Sequence, residues 1–278
     1  MFEMFNLSFM VMAFWATLIM GLLLSYLGIH VIGRGIVFVD LALGQISSLG
    51  VAFSQFTHIG EEWLPIVFTL VGAVLLSLIH IEDKRLRLEA IIGIIYVVAA
   101  ATTVLVISKT PHGEADIQEV LFGTLLATSS SELLKLGIVF SVLAILHIAF
   151  SKHIFRITEC MEAGDIANFG VKERAWNFFF YLSIGLAIVY AVRIGGVMPV
   201  FAYLVVPAVS AVLVARRTWI IITITLFNSV IAGFIGLWFS YTFDFPAGPS
   251  IVAIFGVICL GAAIMRYIQK KTVTNNQT

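Results

Sequence analysis

Charge is what this chain has least of. Only 12% of its 278 residues are Asp, Glu, Lys or Arg, against about a quarter in an ordinary water-soluble domain. A chain so poor in charge does not cover a soluble surface. Its 16 basic and 16 acidic residues cancel, so net charge gives no argument for nucleic acid or for any other charged partner. Cysteine is nearly absent. Cys160 and Cys259 stand far apart and form no CxxC pair, which excludes a disulfide framework and a thiolate metal site. Neither GxxxxGKS nor GxxxxGKT occurs, so no loop cradles a nucleotide phosphate. HExxH and GxSxG are missing too, and no intramembrane Ser–His or paired-Asp arrangement supports an embedded hydrolase. The N-terminus has no basic n-region and its apolar run is too long for a signal peptide, so it is expected to stay as a first span.

What is present is apolar. Hydrophobic residues make up 60% of the chain and mean hydropathy is +1.06. Several runs reach the roughly 18–20 residues that cross a bilayer as helix, and the polar–apolar alternation of a barrel is absent. The reading is an all-α, polytopic membrane helix bundle. Polar breaks predict about nine spans, with eight the alternative count: 7–31, 37–56, 64–80, 89–108, 132–150, 176–192, 197–215, 218–241 and 250–268. Pro199 and Pro207 interrupt the seventh, which reads as a broken helix whose freed backbone groups face protein or water. With the C-terminus placed inside, only Lys109, Lys135 and Arg193 of the 16 basic residues fall outside. That bias puts the N-terminus outside and the C-terminus in the cytoplasm. The outer side then collects acids, among them Glu61, Glu62, Asp116, Glu132 and Asp244. These are either ordinary solvated loop surface or a docking face for an extracytoplasmic protein.

One mixed-charge island breaks the pattern, RITECMEAGDIANFGVKERAW at 156–176, and it faces the cytoplasm. Asp165 is placed to cap a short turn over Ile166–Phe169, with Gly170 as its stop. Such a turn is either a simple connection or a projecting element whose Ile166, Phe169 and Val171 enter a partner's groove. If transport here is active, ATP hydrolysis must come from another chain, and a docking element is the part such a permease needs.

Five stretches carry a resemblance: RLEAIIGIIYVVAAATTVLVIS (87–108), ADIQEVLFGTLLATSSSEL (115–133), EAGDIANFGV (162–171), VRIGGVMPVFAYLVVPAVSAVLVAR (192–216) and GLWFSYTFDFPAGPSIV (236–252). In that order they resemble the membrane permease of metal-ion ABC importers, which move zinc, manganese or iron(II) with a metal-binding lipoprotein or periplasmic protein. The likeness runs from about Leu22 to Ile268. It implies a single transmembrane permease domain over 1–278, multi-pass in the cell inner (plasma) membrane, with 152–175 as a cytoplasmic coupling loop. It implies that Glu162, Asp165, Ile166, Phe169, Gly170 and Val171 seat in a cleft of an ABC ATPase subunit present in two copies. It further implies a homodimer, a path at the permease–permease interface and a metal-binding solute-binding protein that meets Asp116 and Asp244 outside. The permease is then no enzyme and binds no cofactor; the divalent metal is its transported substrate.

Two polar residues in the second span bear on the path. Asp40 lies near the start of GRGIVFVDLALGQISSLGVAF, and Gln45 is about 140° further around the helix. The family carries Gly-Asp here with His four residues after the Asp. Laid without gaps, Leu41 takes the Asp position, Gln45 the His position, and Asp40 is displaced by one. An amide oxygen is a harder and weaker ligand than imidazole, so metal selectivity is left open. None of the six histidines is read as a ligand, because no two share an i,i+3 or i,i+4 spacing within a span. Glu89 reads as a first-turn acid beside Arg85 and Arg87. A rival reading is a secondary transporter or channel that uses Asp40 as an ion or proton site. It predicts flux without an ATPase partner, and internal repeats that the sequence does not clearly show.

Overall fold

The computed structural model describes residues 2–79, 88–109, 121–164 and 169–275. Among them are ten α-helices and no strand: α1 Ser8–Gly33, α2 Val39–Thr57, α3 Leu64–Leu78, α4 Leu88–Ile107, α5 Ser130–Ala149, α6 Ser151–Glu162, α7 Val171–Gly195, α8 Val197–Val214, α9 Thr218–Phe243 and α10 Ala247–Asn275. Each of the nine expected spans falls on one helix. Seven are long and apolar enough to cross a membrane; α3 is a shorter apolar helix of 15 residues. The ninth, α2, has 19 residues and buries Asp40, Gln45, Ser47, Ser48 and Ser54 among its apolar neighbours.

The helices pack as two groups. In one, α8 and α9 pack on each other and on both α1 and α10; in the other, α2 packs on α3, α4 and α7. Contacts of α1 with α7 and of α2 with α8 join the groups, and α5 and α6 lie along α1 and α7. Gly28 sets the closest approach. A Cβ there would collide with the Leu204 carbonyl oxygen, so only glycine lets α1 and α8 meet backbone to backbone. The seam is filled by Leu24, Leu27 and Tyr203, the last edge-to-face on Phe255 at 4.9 Å. Outward, Leu78, Ile94, Leu105, Ile148 and Val257 are exposed. Apolar exposure of that extent is tolerated only against lipid or another chain.

The broken helix expected at 197–215 is not found; α8 is continuous with Pro207 inside it. Pro199 is the third helical residue, where an N–H has no intrahelical partner to lose. Pro207 does remove a bond, the one that would go to the Tyr203 carbonyl four residues back. Ser25 of α1 supplies it instead, its hydroxyl donating to the Tyr203 carbonyl at 2.9 Å. The helix survives because a neighbouring helix satisfies the freed acceptor.

Candidate functional site

Asp40 sits in the first turn of α2 and is 3% exposed, and neither carboxylate oxygen has a hydrogen-bond partner among the described residues. The helix N-terminus favours a negative charge there. A carboxylate inside a bundle still costs a few kcal/mol unless a partner or a water-filled cavity receives it. Gln45 is buried in the same helix. Five residues of regular helix keep it about 140° from Asp40, so α2 does not itself bring the two together. The link from α1 into α2 is anchored by Glu89 of α4, whose carboxylate accepts from the Val37 backbone N–H at 3.2 Å. Its expected partners Arg85 and Arg87 lie outside the described residues.

At the same end of the bundle, α6 lies between α5 and the stretch expected to dock a partner. It is amphipathic, with Ile154, Ile157 and Thr158 buried. Thr158 is the centre of a polar knot. Its hydroxyl donates to the Ile154 carbonyl (3.0 Å) and receives Arg34 Nε (3.2 Å), and His30 Nδ1 lies 3.0 Å away. A hydroxyl has one proton and two lone pairs, so this network assigns the His30 proton to Nδ1. Arg34 also donates to Asn177 Oδ1 of α7 (2.9 Å) and lies over the Phe180 ring at 3.8 Å. The Arg156–Glu173 ion pair (2.6 Å) and the stacking of His153 on Trp176 (4.8 Å) tie α6 to α7 again.

Of the six expected coupling residues, Glu162 and Gly170 are exposed, Phe169 is half-buried and Val171 is 86% exposed. Gly170 stands immediately before α7 in extended backbone. Asp165 and Ile166, with the rest of the expected turn over 166–168, lie outside the described residues.

The opposite end of the bundle is polar. Lys135 pairs with Glu62 at 2.9 Å, and that hydrogen bond holds the Glu62 carboxyl below the usual carboxylate range. Arg193 Nη2 donates to the Glu61 carbonyl at 2.8 Å. Between them opens a cavity of about 210 Å³ lined by Ser47, Ser48, Ser54, Glu61, Glu132 and Arg193 with their neighbours. Asp244 ends α9 in the left-handed conformation, φ 57°. Asp116 lies outside the described residues.

His30 and His147 are buried, bonded to Thr158 and to the Leu143 carbonyl. Among the described residues no three His, Cys, Asp or Glu side chains lie close enough to hold a metal ion. Sequence reasoning missed the Thr158 knot and the serine-lined cavity. The signal for the cavity was the density of hydroxyls in the second span, where lipid rewards none. The knot left no local signal, because its members are up to 143 residues apart.

The family model described as "ABC 3 transport family" matches residues 6–266. The chain is 23% identical over 255 residues to the manganese transport system membrane protein MntC of Halalkalibacterium halodurans, covering 91% of this chain and 85% of that protein. It is 23% identical over 236 residues to the high-affinity zinc uptake system membrane protein ZnuB of Haemophilus influenzae, with 84% and 89% covered. Among solved structures it is similar to a chain of PsaBC from Streptococcus pneumoniae in complex with Fab, with TM-score 0.78, 22% identity and 94% of each chain covered. A second, an inward-facing conformation of an ABC transporter, gives TM-score 0.72 at 14% identity over 92% of this chain and 85% of that one. These two likenesses show the fold.

Proposed function

This chain belongs to the ABC 3 transport family, and from that premise we propose that it imports a divalent transition metal, zinc, manganese or iron, as the membrane subunit of an ATP-driven system. It is a multi-pass helical membrane protein, and its sequence carries no nucleotide-binding loop. In this reading two copies form the permease, and two ABC ATPase subunits dock on the cytoplasmic side at residues 162–171. A metal-binding solute-binding protein delivers cargo to the opposite face, where Asp244 and the Glu61–Glu62 loop lie. Docking at 162–171 accords with Val171 standing 86% exposed at the start of α7, next to α6.

One observation carries the proposal: a buried carboxylate, Asp40, has no hydrogen-bond partner among the described residues, inside a bundle of this family's fold. An acid kept so is explained by a cation that passes it. The chemistry asked of the chain is modest. Asp40 attracts a divalent ion electrostatically, Gln45 on another face of α2 can add an amide oxygen only where a second copy or a neighbouring helix completes the path, and closure of the ATPases moves α6 and α7 so that access alternates.

The experiment is reconstitution. The chain in liposomes with its ATPase and binding protein takes up metal only with ATP, and the chain alone carries none. Full-rate flux by the chain alone, down or against a gradient, would establish the channel or secondary-transporter reading instead.

A further inference from the structure

The cavity at the bundle end opposite the coupling segment is more than a surface dimple. Ser47 lines it and is 0% exposed, yet its hydroxyl has no hydrogen-bond partner among the described residues. Ser48 and Ser54, both buried, donate to the Gly44 and Val51 carbonyls of their own helix and keep lone pairs free. Glu132 gives one carboxylate oxygen, Oε2, to the Ser129 cap of α5 and leaves the other open. Glu61 is exposed at the rim. Arg193 has one guanidinium nitrogen donating to the Glu61 carbonyl. Every acceptor in this set is oxygen.

The serines also continue a line. Ser47 is seven residues from Asp40 on an unbroken helix, so the two lie about 20° apart on one face and roughly 10 Å apart along it. Ser54, another seven residues on, stays within about 40° of Asp40. Gln45 is off this face; Asp40, Ser47 and Ser54 share it.

We infer that the cavity is a binding site for a hydrated divalent cation of oxygen-seeking type, manganese(II) or magnesium(II), which enters the bundle there and follows the Ser54–Ser47–Asp40 face of α2. This rests on the permease reading and adds to it the entry site and its preference. A dehydrated ion would need more direct ligands than two carboxylates, and the described residues bring no third acid, His or Cys to the site. The cavity, about 210 Å³ and open on one side, has room for an ion that keeps its shell. Hard cations shed water reluctantly and take carboxylate and water oxygens. The lone Ser47 hydroxyl then has a partner in that shell.

The test is Mn²⁺ binding, read from the loss of the free-ion EPR signal, to the permease–ATPase complex in nanodiscs without ATP. Glu61→Gln with Glu132→Gln should weaken one site at least tenfold, while glutamine keeps the α5 capping box. Ser47→Ala should weaken it severalfold, Mg²⁺ should compete, and Asp40→Asn should leave that site intact. Wild-type Mn²⁺ affinity in the double variant or in Ser47→Ala would overturn the site, as would its loss in Asp40→Asn. ATP-driven uptake by the same complex separates the two readings. If uptake is normal and the acid pair has no effect on binding, only the entry site falls. If wild type shows no ATP-driven uptake, the permease reading falls, and the Mn²⁺ titration still decides the cavity.

Discussion

Asp40 and Gln45 differ in what their burial demands. An unpaired carboxylate in an apolar surround loses several kcal/mol of hydration, whereas an amide loses far less. A buried acid that no described neighbour relieves is therefore the stronger sign of a passing cation. Asp40→Asn should lower metal uptake about tenfold or more, the scale on which losing a group that holds or orients a metal acts. Gln45→Glu should lower it less, since it adds an acceptor. Initial uptake rates at saturating ATP check this, and wild-type rates in both variants would remove this stretch from the path. Asp40 could be found in the sequence because an ionisable residue within an apolar span stands out. Thr158 could not, since a threonine in a charged island looks like ordinary surface until α6 folds onto α1.

At the scale of elements, two buried hydroxyls hold helices together for different ends. Ser25 repairs the gap that Pro207 leaves in α8, a static task. Thr158 joins α6, next to the coupling stretch, to Arg34 at the exit of α1, five residues before α2 begins. Ser25→Ala leaves the Tyr203 carbonyl buried and unpaired, at about 1–3 kcal/mol, so the purified protein should melt lower while the folded fraction keeps its metal-to-ATP ratio. Thr158→Val keeps the shape but removes the acceptor for Arg34 and His30. It should reduce metal moved per ATP in protein that stays folded. Melting curves alongside paired uptake and hydrolysis rates separate the outcomes, and an unchanged ratio in Thr158→Val would confine the knot to stability. A helix at each of the nine expected spans was legible because hydropathy reports the bilayer directly, and seven of the nine are long and apolar enough to cross it. The continuity of α8 was not, because the residue that rescues its proline is 178 positions away.

For the whole molecule, the question is where work enters. The two helix groups meet through α1, α2, α7 and α8, and the coupling stretch opens onto α6 on one side and α7 on the other. If an ATPase docks at 162–171 as proposed, a push there reaches both groups, through Thr158 to α1 and along α7. Which helices form which group was not readable from spans, since short connections fix neighbours only between consecutive helices. Gly170 provides the sharpest test. Its backbone is extended, φ −75°, which any residue adopts, and it is exposed. Among the described residues an added Cβ would meet the Glu173 carboxylate at 3.0 Å, the far end of a flexible side chain. Gly170→Trp should thus insert and fold as wild type, yet present a bulky ring where the proposed reading seats the ATPase. Asp165→Lys should act in the same direction by reversing a charge. Both should reduce ATPase recovered with the purified permease and cut ATP-driven uptake about tenfold or more, as displacing a well-packed interface contact by 1.4 kcal/mol or more would. Normal ATPase recovery with normal uptake in Gly170→Trp would move the coupling surface elsewhere on the molecule.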